Sequence, residues 1–102
     1  MKIIAKLIDM ITDELDGAEE YALTAMQEKT EHPKLAARLN ELAGVELTHV
    51  RALHTEVERL ISDYRTDKGE PPAEMLAVYR YEHDKAIKRF AQIKAAIEEF
   101  DA

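Results

Sequence analysis

From Lys34 to about Tyr64 the chain has no proline, and its apolar residues recur at helical spacing. Leu35, Leu39 and Leu42 are followed by Glu46 and His49, then by Leu53 and Leu60, which together mark one face of one long helix. Two ionisable residues thus stand where the pattern calls for leucine. Residues i and i+3 lie about 60° apart round a helix and about 4.5 Å apart along it, so Glu46 and His49 can reach one cation. A buried carboxylate without a cation or donor costs several kcal/mol, which favours a ligand role. Against that, Glu-x-x-His is frequent on helices, and a histidine on an apolar face is usually a hydrogen-bonded core residue.

The same pattern continues on either side. A first helix is expected from about Ile3 to about Thr30, with the stripe Ile4, Leu7, Ile11, Glu14, Ala18, Tyr21, Ala25. Glu14 interrupts that stripe, or sits at its edge if Leu15 and Ala22 move the apolar centre. Glu31-His32-Pro33 breaks the chain, and so short a connection makes the first two helices antiparallel neighbours. The second helix is expected to end near Arg65, ahead of a loop from Thr66 to Pro72. The third is expected from about Ala73 to about Phe100, with Leu76, Tyr79, His83, Ala86 or Ile87, Phe90, Ile93, Ile97 and Phe100 inward. His83 is central there, as a ligand, a donor to one, or a core histidine. His54 lies beside Val50 and Val57, buried or at an edge. Gly17 and Gly44 interrupt helices within three residues of Glu14 and Glu46, as points of close helix approach or as tolerated surface glycines. The expected fold is all-α: an antiparallel helical hairpin plus a third helix in one domain, residues 1–102.

Composition narrows the function. The absence of cysteine excludes disulfides and thiol chemistry. A formal charge of −7 argues against nonspecific nucleic-acid binding. No apolar run approaches a membrane span, and Met1–Met10 carries Lys2, Lys6 and Asp9 instead of a secretory apolar core. A cytoplasmic protein is expected.

On Glu14-x6-Tyr21 of the first helix and Pro33-x-Leu35-Ala36-x2-Leu39-x6-Glu46-x2-His49 of the second, the chain resembles the ferritin-like superfamily. It is most like rubrerythrins and the short encapsulated ferritins, including small proteins of bacteria and their phages, over about residues 9–62. The resemblance implies that Glu14, Glu46 and His49 are iron ligands, with Tyr21, and also Tyr79, supporting them from behind. It also brings Glu82 into view, since rubrerythrins place a glutamate on their third helix, whereas the helical wheel turns His83 inward. A full ferritin-like subunit has four helices and two half-sites; this chain has one half-site and three helices. The resemblance therefore implies a bundle completed by oligomerisation, two copies pooling their ligands around two iron ions. Manganese and zinc suit the same donors. The implied activity is ferroxidation, in the cytoplasm or inside a protein compartment. The tail Ala96–Ala102 shows no docking extension for an encapsulin-type shell. The alternative is a non-catalytic interaction module with a structural or relic metal site.

Overall fold

Three prolines and one glycine set the breaks between helices. The computed structural model describes residues 1–102 and contains helices only: α1 Lys2–Glu28, α2 Pro33–Lys68 and α3 Ala73–Phe100. The three expected helices are present, with two shifted ends. α1 stops at Glu28 rather than Thr30, because the turn needs the residues before His32, which is pulled out of the helical region (φ −133°, ψ 67°) by Pro33. α2 runs past Arg65 to Lys68 and stops only at Gly69, whose φ of 84° is open to glycine without strain. The Gly69 amide closes the helix by donating to the Arg65 carbonyl at 3.2 Å.

The core is a seam along the α1–α2 hairpin. α1 contributes Ile4, Ile11, Leu15, Ala18 and Ala22; α2 contributes Ala43, Leu47, Val50, Val57 and Ile61; α3 adds Ile93. Each large aliphatic side chain buried here contributes about 1.5–3 kcal/mol. Alanines at 18, 22 and 43 let the two backbones approach closely. At one end Ala25, Ala36 and Phe100 form a smaller cluster. There the Lys29 ammonium sits 4.7 Å from the Phe100 ring centre and donates to the Phe100 carbonyl, which fastens the end of α3 to the hairpin turn. Asn40 is buried, and its Nδ2 donates to the Ile97 carbonyl at 3.3 Å. Arg89 of α3 bridges to Asp16 of α1 at 2.9 Å.

The face of α2 differs from expectation. The buried stripe is Ala36, Asn40, Ala43, Leu47, Val50, Val57 and Ile61, displaced by one residue from Leu35, Leu39, Leu42, Glu46, His49, Leu53 and Leu60. Close approach selected the small residues for the seam and turned the leucines towards its rim, with Leu35 half exposed. α2 therefore carries two adjacent apolar faces, of which a single chain buries one fully and the other, with Leu39, Leu53 and Leu60, only in part. Only 16 of 102 residues are buried in a body of 56 × 20 × 17 Å, so one copy has a thin core for its length. No helix is long and apolar enough to cross a membrane.

Gly44 has open space where a β-carbon would go. Gly44→Ala is expected to stabilise the protein by about 1 kcal/mol, since glycine inside a helix costs that much relative to alanine. Urea denaturation checks this, with metal binding unchanged.

Candidate metal centre

Glu14 of α1 meets Glu46 and His49 of α2 across the outer rim of the hairpin. One ligand atom from each lies within 4.8 Å of the other two. His49 Nδ1 is 3.2 Å from Glu14 Oε2 and 3.9 Å from Glu46 Oε1. The antiparallel pairing that sets the core also sets this level: Gly17 lies opposite Glu46, where an added β-carbon would stand 3.5 Å from Glu46 Oε2. Gly17 thus gives the Glu46 carboxylate room to lie against the α1 backbone, as one reading of that glycine held. Gly44 serves no such purpose.

The three groups are not sealed in the core. Side-chain exposure is 30% for Glu14, 23% for Glu46 and 51% for His49. Glu14 therefore sits at the stripe edge, with Leu15 and Ala18 buried behind it. Hydrogen bonding to Glu14 pushes the Glu46 carboxyl above its ordinary value, helped by partial burial and by the Glu14 charge. The same hydrogen bond holds Glu14 below its ordinary value, against partial burial and with help from His49. The two carboxylates therefore compete for negative charge, which drives their titrations apart and favours a cation between them.

By helical spacing the same rim carries Ile3, Leu7 and Met10 on one side of Glu14, and Gly17 and Tyr21 on the other. On α2 it carries Leu35, Leu39 and Leu42 before Glu46, and Leu53 and Leu60 after His49. Ile3, Met10 and Leu35 are 48, 41 and 50% exposed. The polar trio thus stands among apolar residues on this strip, with Glu56, paired to Arg59 between Leu53 and Leu60, as a further charge on it. Tyr21 is half-buried against the core on this strip.

The remaining candidates lie elsewhere. His83 stacks on His54, ring centres 4.4 Å apart, and groups with His54 and Glu58 instead of with Glu14. Glu82 pairs with Lys85 at 3.8 Å and lines a cleft between α3 and the hairpin. Tyr79 donates its hydroxyl to Glu58 Oε1 at 2.7 Å, so within the chain it supports that second group and not Glu14. The sequence reading did not single out Glu58, although His54 and Glu58 at i and i+4 were a signal as good as Glu46 and His49. A third group, Glu28, Glu31 and His32, lies on the exposed α1–α2 turn.

No protein-family model, curated protein or solved structure matches the chain. The chemistry of the donors therefore has to speak for the site. Two carboxylates and an imidazole fit Fe(II), Mn(II) or Zn(II), and their partial exposure leaves coordination positions open on the rim.

Proposed function

We propose that the chain is a ferritin-like iron-oxidising protein whose Glu14–Glu46–His49 groups from two copies face each other and take two Fe(II) ions as substrate. The observation that carries this is the convergence of the trio on a rim whose apolar side chains one chain covers only in part, with Ile3, Met10 and Leu35 exposed. A two-fold axis through the trio would bury the strip against itself. Each subunit would bring two carboxylates, which offset one divalent ion, and the pooled set of two Glu-plus-Glu-x-x-His units is that of di-metal helix bundles. One chain alone offers one half of that set.

In this reading Glu14 and Glu46 would hold the ions through their carboxylates. His49 binds terminally, its ring held beside Glu14. Two Fe(II) would together give up two electrons, which with two protons reduce one dioxygen to hydrogen peroxide or one hydrogen peroxide to two waters, leaving two Fe(III). The leucines on either side keep bulk water from the carboxylates, which strengthens their hold on the cation.

Fe(II) added anaerobically is expected to give a di-ferric absorption band once air is admitted, at two Fe per dimer, together with a solution mass of two chains or an even multiple. A monomer with no such band would leave only a helical interaction module.

A further inference from the structure

The hairpin has a second chemically equipped face. On the side towards α3, His54 Nε2 lies 3.4 Å from Glu58 Oε1 one turn along α2. From α3, His83 stacks over His54 with rings 13° from parallel. One ligand atom from each of the three lies within 4.8 Å of the others. Tetrahedral zinc with nitrogen and oxygen ligands at about 2.0–2.2 Å needs donor atoms about 3.3 Å apart. The His54–Glu58 edge already meets that; because a bound ion lies in the plane of each imidazole, His83 has to turn out of its stack with His54 to complete the set.

Two features distinguish this trio from the exposed group at the turn. It spans two helices, and it has a support: Tyr79 donates to Glu58 Oε1 at 2.7 Å and stacks on His83, ring centres 5.5 Å apart. A ligand carboxylate held by a hydrogen-bond donor is the usual outer layer of a metal site. His54, His83 and Tyr79 also line a cleft of about 700 Å³ walled by Ile8, Val50 and Phe90, with Glu58 outside its lining. That space leaves a fourth coordination position open to water or a small anionic ligand.

We propose that His54, Glu58 and His83 form a second metal site, for a divalent transition ion with zinc as the best match, that ties the first half of α3 to the hairpin. Two imidazoles and one carboxylate disfavour Ca(II) and Mg(II), which take oxygen ligands. The tie falls where α3 is least anchored, since its only buried residues are Ile93 and Phe100 at the other end. The site does not depend on the Glu14 trio, which is on the opposite face of the hairpin.

The test uses the Glu46→Gln protein, in which the first trio is disabled. Zn(II) titrated into it by calorimetry is expected to bind at one equivalent per chain. Hydrogen exchange across the first half of α3 is expected to slow at least fivefold on binding. His83→Ala and His54→Ala, each added to that background, are expected to weaken binding at least tenfold and remove the protection, while His32→Ala leaves both unchanged. Should either variant misfold, imidazole ¹⁵N shifts in the Glu46→Gln protein report the same thing, with His54 and His83 moving on Zn(II) addition and His32 and His49 staying still. Absence of binding, loss of binding with His32→Ala, or unmoved His54 and His83 resonances would overturn the proposal.

Discussion

Glu46→Gln is expected to abolish Fe(II) oxidation and to weaken metal binding at the Glu14 trio about a hundredfold or more, while making the metal-free protein slightly more stable. Loss of a group that merely supports a ligand already costs 10–100-fold in affinity, and Glu46 would be a ligand itself. The gain in stability has a separate origin. Without a cation, Glu14 and Glu46 face each other with only partly exposed side chains and push the Glu46 carboxyl above its ordinary value of 4.5. A group raised in this way stabilises the fold when protonated and loses that contribution as pH rises. Glutamine keeps the shape and the neutral state, so its advantage is present at neutral pH and fades in acid. The scale is a few tenths of a kcal/mol, typical of partly exposed charge interactions. Metal titration of both proteins, with thermal melts of the metal-free forms at pH 4 and 7, reads both effects. Lower stability of the variant at pH 7 would mean that Glu46 is mainly a structural residue.

Ala18→Leu should cost about 3 kcal/mol, the upper end for overpacking a closed core, and should lower Tm by more than 10 °C at the sensitivity of a domain this size. Ala18 is fully buried in the α1–α2 seam, in one cluster with Ala22 and Ala43. A larger side chain there has nowhere to go except between the helices. Because Ala18 follows Glu14 by one turn, spreading the helices also moves Glu14 away from Glu46 and His49. Metal affinity at the trio is therefore expected to fall although no ligand is altered. Guanidinium denaturation together with metal titration checks both parts. If stability drops while affinity holds, the seam does not set the ligand spacing.

The helices themselves were legible in the sequence because Pro33, Pro71 and Pro72 leave uninterrupted helical stretches between them. The third helix agrees in both ends. The phase of α2 was not legible. Its leucines and its alanine–valine stripe lie one residue apart, so periodicity supports either, and hydrophobicity alone favours the leucines. What decided was helix approach distance, a property of the α1–α2 pair that neither helix shows alone. The Glu46–His49 spacing could be read directly, and its meeting with Glu14 needed only the antiparallel register. His83 could not be assigned the same way. Its partner His54 comes from another helix, and one histidine on an apolar stripe gives no sign of which neighbour it will face.

The clasp between Lys29 and Phe100 has a mechanical consequence. It pins one tip of α3, while the opposite tip is connected through the short run after Gly69. Swinging of α3 then pivots near Phe100, like a tweezer arm on its rivet. Such a swing would open or shut the space beside Tyr79 and leave the carboxylates on the far flank of the hairpin undisturbed.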